Sequence, residues 1–533
     1  MRRGVWPAWL AVFAVAACLY ALTASRGPQW QDSGQHIMRI LDGELVHVLG
    51  LALSHPLHYW LGRVAVRLDV VAPASAITLV SSLAAAVAVA NLFGIVATLT
   101  GRTAAAVFAG ASLMVAHTFW QMATVAEVYT LSAALLTAEI WCVVAYATRR
   151  HREGEAPVGS PAAERTSSNP FLVLAIAVNG LGLANHNVAL LTTPVLAILL
   201  ILAIRRKEIR KRQAAAAVLL WLVAASPYLG LVVVEMVRRH EFLPVLHSAL
   251  FGGAYAEDMR AAGLTGDPRL HSALFGGDYA DRVLNVRVSA NHLLRSAGFI
   301  VLNFPNLLLC FAAYGIVRAR GGGVPTTARR VLYAALALHA CFVLRYPVVD
   351  QYTFFLPTYA LLAVFGGVGY SRAAASGSRA SLAARGVAIV LLIATPLFYL
   401  GAPAVGRRLG VLGGEERFKP YRDDYTYFLT PWSGLERSAE RMTSAAIDAA
   451  GPAGLIVVPD TTSLSSVRYA VLQADAPTLS VTGEMDPEQI AEAARAGRRV
   501  VFVPSRTDTP PPPPPIGAWR REGDVYVLEY ARP

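Results

Sequence analysis

Residues 74–98 read ASAITLVSSLAAAVAVANLFGIVAT, a run without a single charged side chain. A helix needs roughly 20 apolar residues to cross the hydrocarbon core of a bilayer. Comparable runs recur at Trp6–Thr23, Ala214–Val234 and Gly386–Leu400. The chain of 533 residues is 55% hydrophobic and 15% charged, whereas a soluble globular protein carries roughly 25% charged residues. In lipid only helices and closed barrels satisfy every backbone group, and barrels read as short alternating strands. The expected fold class is therefore an α-helical polytopic membrane protein.

Extending this reading along the chain gives eleven transmembrane helices, at about 6–23, 74–98, 103–116, 128–147, 171–184, 188–204, 214–234, 293–316, 331–344, 353–370 and 386–400. Pro305 is expected to interrupt the eighth. Residues 1–400 then form a transmembrane domain with polar outer loops at 24–73 and 235–291. The remainder, 401–533, is expected to be a small soluble α/β domain, with strand-like runs at 455–458, 500–503 and 525–530 and a helix-like run at 487–496. The long outer loop holds a local duplication, His247–Gly253 recurring at His271–Gly277.

The formal net charge is +12. Much of it gathers in short loops such as Arg149–Arg152 and Arg205–Arg212, as the positive-inside rule expects. That distribution accounts for the charge without nucleic acid. It also sets the N-terminus in the cytoplasm and the C-terminus outside. The start of the chain could be read as a signal peptide, but an uncleaved first span is preferred; either way residue 32 falls on the outer side. Cys18, Cys142, Cys310 and Cys341 sit in apolar segments without metal-like spacing. No zinc motif and no phosphate-cradling glycine loop is present.

The polar motifs all fall on that outer side. Gln31-Asp32-Ser33-Gly34-Gln35-His36 follows the first span. Asp32 is either a helix cap or a general base, since both uses suit a lone carboxylate beside Ser33. Glu127, with Trp120 and Tyr129 on either side, precedes a span. It either favours a helix N-terminus or needs a partner at the membrane edge. Asn185-His186-Asn187 is a polar knot between apolar runs, either a packed loop or a sugar or phosphate contact. Arg345, Asp350 and Tyr352 form a further cluster, in which Arg345 either pairs with Asp350 or holds a phosphate by two-pronged hydrogen bonds. An outward site has no ready supply of nucleotide sugars, and a lipid-linked donor would meet that need.

Taken in order, these motifs resemble the membrane family related to protein O-mannosyltransferases, within the C-type glycosyltransferase superfamily. The resemblance rests on Asp32-Ser33-Gly34-Gln35, on His55-Pro56-Leu57-His58-Tyr59 and on Phe119-Trp120 with Ala126-Glu127-Val128-Tyr129. It continues through Gly180-Leu181-Gly182-Leu183-Ala184-Asn185-His186, Gly266-Asp267-Pro268, Asp350 before Tyr352–Pro357, and Arg422-Asp423. Two departures stand out. Gln35 replaces the family's usual Glu, and His58 and Trp60 replace parts of a Pro-Gly-Tyr-Pro run.

The resemblance implies an inverting, metal-free and cofactor-free transfer of a sugar, usually mannose. The donor would be a polyprenyl phosphate, and the acceptor a hydroxyl, that of a protein Ser or Thr, on the outer face of the inner (plasma) membrane. Asp32 would be the base and Glu127 a supporting acid or acceptor contact. His55, His58, Trp120, Tyr129, Asn185, His186, Asp267, Arg345, Asp350 and Tyr352 would contact substrate. Besides donor, acceptor and membrane lipids, no partner is implied. The alternatives are a glycan or lipid acceptor, or a non-catalytic transporter or scaffold for lipid-linked sugars. A transporter would carry midplane polar groups on broken spans, whereas the polar residues here gather at one face.

Overall fold

The computed structural model describes residues 5–154, 170–253, 280–319 and 323–530. Asp267 and the second copy of the duplication lie outside the described residues. The first copy falls in a helix, Leu243–Phe251, and its following glycines.

The chain opens with α1 (Val5–Thr23), α2 (Gln31–Asp42), α3 (Pro56–Arg67), α4 (Pro73–Thr100), α5 (Thr103–Met114), α6 (His117–Ala123) and α7 (Tyr129–Gly154). It continues with α8 (Pro170–Asn185), α9 (Thr193–Arg205), α10 (Lys211–Arg239), α11 (Leu243–Phe251), α12 (Ala280–Val283), α13 (Ala290–Asn303) and α14 (Leu308–Arg318). The membrane-type helices end with α15 (Thr326–Leu344), α16 (Leu356–Ser376) and α17 (Arg379–Leu409).

Among the described residues, seven helices are long and apolar enough to cross a membrane, or nine if two bent pairs each count as one span. The first pair, α5 and α6, is bent by 68°, and the second, α13 and α14, by 105°. Pro305 lies in the second break, where its ring and missing N–H disfavour a continuous helix. The remaining two expected spans, 171–184 and 188–204, correspond to the shorter apolar helices α8 and α9. The last long helix runs to Leu409, so the expected division at residue 400 falls inside it.

Lipid offers no hydrophobic drive for helix association, so close packing carries it. The contact of α14 with α16 illustrates this: a Cβ on Gly369 would collide with the Phe311 carbonyl, and one on Gly315 with the Phe365 carbonyl. Only glycine lets these two backbones approach so closely.

Beyond α17 come α18 (Asp424–Leu429), α19 (Ser438–Ala450), α20 (Thr461–Gln473) and α21 (Pro487–Arg495). Five strands form one sheet: β1 (Leu455–Val457), β2 (Ser480–Thr482), β3 (Val500–Phe502), β4 (Ala518–Glu522) and β5 (Val525–Glu529). Their order is β2-β1-β3-β5-β4. The central β1 pairs in parallel with β2 and β3, and β5 runs antiparallel to β3 and β4. Alternation along the strands divides the apolar side chains between two faces. Ile456 and Val501 pack with Met442 of α19, while Leu455 and Phe502 pack with Ile490 of α21.

This C-terminal part is seated on α2. Ser466 of α20 donates to the Gln29 carbonyl, the Ala74 N–H donates to the Tyr469 hydroxyl at 3.2 Å, and Trp30 Nε1 donates to Ser438 Oγ at 2.8 Å. The helix that carries Asp32 is thus held between the membrane helices and the C-terminal sheet.

Candidate active site

Asp32 lies in the first turn of α2, but it does not cap it. Trp30 is the N-cap residue and makes no side-chain capping bond. The Asp32 side chain makes no hydrogen bond among the described residues and remains exposed. The preceding residue, Gln31, is left-handed (φ 58°), a strained conformation for a non-glycine residue that clusters at functional sites. Tyr427 of α18 donates to Gln31 Oε1 at 3.2 Å and helps hold it there.

Two cavities meet at this carboxylate. The larger, about 480 Å³, is lined by His36, His47, His55, His186 and Arg345 together with apolar side chains. The smaller, about 60 Å³, is lined by Glu127 and Glu436 and by the rings of Trp30, Tyr352, Tyr427 and Trp432. Asp32, Tyr129 and Asp350 line both. They stand between an imidazole- and guanidinium-rich space and an acidic, aromatic one.

The second carboxylate, Glu127, is buried. Its Oε1 accepts from Ser33 at 2.8 Å, and its Oε2 lies 3.8 Å from His36 Nε2. It therefore serves α2 rather than the N-terminus of α7. Asp350 accepts from the Tyr129 hydroxyl at 3.3 Å. Among the described residues it forms no ion pair with Arg345, which donates instead to the Asn285 carbonyl at 2.9 Å.

Three acids in one enclosed region cannot all ionise freely. Although the Asp32 side chain opens into the cavities, desolvation by the protein walls around it, and then the Asp350 charge, push its carboxyl up to about 6, with the Arg417 guanidinium pulling the other way. Burial and then Asp32 raise Glu127 well above the carboxylate range, and burial raises Asp350. Asp32 is the most open of the three and is ionised at neutral pH. Burial lowers His186 to about 4, so its ring is neutral there.

The other expected site residues divide. His55, His186 and Arg345 line the larger cavity, and Tyr352 the smaller. The His55 ring stacks on His186 with centroids 5.1 Å apart, and its Nδ1 bonds to the Asn185 carbonyl at 2.8 Å. Asn185 lines neither cavity; it donates to the Val128 carbonyl and to Ser132 Oγ and so braces the loop that presents His186. His58 is fully buried beneath His36, and burial lowers it to about 4. Trp120 is buried, donates to Thr23 Oγ1 at 2.9 Å and packs on Trp432. It braces α1 and lines neither cavity. Arg422 pairs with Asp424 at 2.7 Å under Trp30 and Tyr427, while Asp423 caps α18 and pairs with Arg407.

His36, His47 and Arg417 were not singled out by the sequence as site residues. His36 lies inside the quoted motif and donates or accepts at the Tyr59 hydroxyl, 3.0 Å away. Gln35 lines the larger cavity, so the side chain next to Asp32 on that wall is a neutral amide and not a second acid.

Residues 32–210 match the family described as protein O-mannosyl-transferase TMEM260 N-terminal domain. Over those residues, about a third of its length, the chain is similar to that family. Among solved structures it is similar to ArnT from Cupriavidus metallidurans, bound to undecaprenyl phosphate and in the apo state. Each comparison has 16% identity, a TM-score of 0.55 and 98% coverage of both chains. The Archaeoglobus fulgidus oligosaccharyltransferase in its apo form matches at 12% identity and a TM-score of 0.47, over 94% of this chain and 70% of that one. No curated protein matches the sequence. The ArnT likeness shows the fold, and with the apolar helices it makes this chain a multi-pass membrane protein.

Proposed function

We propose that this membrane protein transfers a sugar, mannose in the first instance, from a polyprenyl phosphate to a hydroxyl of a protein Ser or Thr. Asp32 takes the proton from the acceptor hydroxyl. The freed oxygen attacks the anomeric carbon of the donor, and the bond from that carbon to the phosphate oxygen breaks. Configuration inverts in this single displacement. The leaving polyprenyl phosphate carries the negative charge away, stabilised by the Arg345 guanidinium and the His186 Nε2–H.

The observation that carries this reading is the place of Asp32, open and without a hydrogen bond among the described residues, where the two cavities meet. A base must reach the attacking oxygen on one side and leave the donor on the other. Donor phosphate belongs on the Arg345 side, and acceptor on the side of Trp30 and Glu127. That ArnT, with the same fold, binds undecaprenyl phosphate supports a lipid-linked donor. In this reading the shorter helices and bent pairs bring the spans to eleven. The site faces outward across the inner membrane, and the C-terminal sheet is extracytoplasmic.

The test is transfer from a synthetic polyprenyl-phosphate mannose to Ser/Thr peptides by the purified full-length protein. Asp32→Asn is expected to remove about 10²- to 10⁴-fold of the rate while the protein still inserts and folds. Turnover close to wild type in that variant would reject Asp32 as the base.

A further inference from the structure

The larger cavity has a wall that the membrane helices do not supply. Thr461 and Thr462, the first residues of α20 in the C-terminal part, line it alongside Asp32 and Gln35. Their position is fixed by ties further along the same helix. Ser466 bonds to the carbonyl of Gln29, three residues before Asp32, and Tyr469 is bonded by the backbone of Ala74. A Cβ on Gly34 would lie 3.3 Å from Ser466 Oγ, so the two helices cross in close contact one turn from the threonines.

The hydroxyls at this helix start are unequally committed. Asp460, the N-cap, accepts from the Thr462 hydroxyl at 2.7 Å and from Ser463 at 3.0 Å, and it pairs with Lys419. The Thr461 hydroxyl makes no hydrogen bond among the described residues. Because Asp460 is held by three partners, it is not free to turn toward Thr461. A cavity-lining hydroxyl kept free by its neighbours, on an element rigidly joined to the catalytic helix, is suited to hydrogen-bond a ligand.

We propose that Thr461 is a specificity-determining residue that bonds one hydroxyl of the donor sugar, so that the C-terminal part completes the donor site instead of recruiting a separate partner. This rests on the reading of the larger cavity as the donor side. A sugar is the part of the donor rich in hydroxyls, and it must lie next to Asp32, where Thr461 also lies. The phosphate, by contrast, is served by Arg345.

The experiment compares full-length wild type, Thr461→Val and Thr461→Ser with polyprenyl-phosphate mannose and its four single-deoxy analogues. Transfer rates and donor-induced thermal stabilisation are both read. Thr461→Val is isosteric and is expected to lower kcat/KM for the parent donor about 3- to 10-fold. With one deoxy donor it should cause no further loss, because the partner hydroxyl is already missing. Thr461→Ser should restore the parent rate. Equal losses with every deoxy donor, or no loss with any, would overturn the proposal while leaving the transferase reading intact. A wild type that neither transfers nor is stabilised by any of these donors would overturn both.

Discussion

The Ser33 hydroxyl donates to Glu127 Oε1 across 94 residues of sequence, at 2.8 Å. The bond joins α2 to the loop between α6 and α7, and Ser33 is the immediate neighbour of Asp32. Successive residues on a helix point about 100° apart, so anchoring Ser33 inward fixes the direction in which Asp32 emerges. Glu127 is in this sense a positioning residue for the base, and its burial makes the bond costly to lose.

Ser33→Ala removes the donor and leaves a buried carboxyl oxygen without its partner. The expected cost is about 1–3 kcal/mol of stability. Transfer should slow through kcat, with the donor KM little changed, because the Arg345 side of the site is untouched. Steady-state kinetics with thermal unfolding in detergent checks both. An effect confined to donor KM would contradict the positioning role.

The Asp32 carboxyl acts only when ionised. Since its pKa is pushed up to about 6, kcat/KM should fall as the pH drops through about 6. Asp350 raises this value and Arg417 lowers it. Asp350→Asn removes a like charge, so the acid limb should move to lower pH. Arg417→Ala removes an opposite charge, so the limb should move to higher pH. The limb's position is independent of its height and stays readable in slow variants. Shifts in the same direction for both variants would show that the limb belongs to another group.

The helices were legible because each apolar run reports its own environment: the stretch at 74–98 needs no distant partner to be a membrane helix. Asp32 and Glu127 were legible as motifs, but the bond between Ser33 and Glu127 was not. Arg417 and Thr461 had no local signal at all. Thr461 reaches the site because α20 docks on α2, a contact between residues more than 400 positions apart, and Arg417 is held by the segment before α18, where its N–H donates to Asp424. Trp120 shows the converse. Its motif marked it as a substrate contact, yet an indole at the membrane edge also packs well, and here it braces α1. The short strands β2 and β4 escaped notice because Ser480–Thr482 and Ala518–Glu522 lack a sustained apolar alternation.

Arg345 lines the larger cavity, and among the described residues its guanidinium has only a backbone carbonyl, that of Asn285, as hydrogen-bond partner. Among the described residues its charge is therefore not cancelled by a carboxylate bond. Arg345→Ala should raise the donor KM roughly 10- to 100-fold, the scale of a charge-assisted hydrogen bond. Arg345→Lys keeps the charge but not the fork, and should recover only part of the loss. The readout is donor KM at constant acceptor. A change in acceptor KM alone would place Arg345 on the wrong side of Asp32.

Gly34 offers the sharpest separation of fold from chemistry. It sits two residues after Asp32, where α2 passes the Gln29 carbonyl and Ser466 of α20, and a Cβ there would strike that carbonyl. The carbonyl already accepts from Ser466, so it cannot move without breaking the tie to the C-terminal part. Gly34→Ala should therefore overpack the crossing by about 1–3 kcal/mol, lowering the unfolding temperature and loosening α20. Ser466→Ala relieves the crowding at its Oγ but removes the bond. The double variant should thus lose less than the sum of the two single losses, because both act on one contact. Strict additivity in a double-mutant cycle would mean that the two helices do not meet at this point.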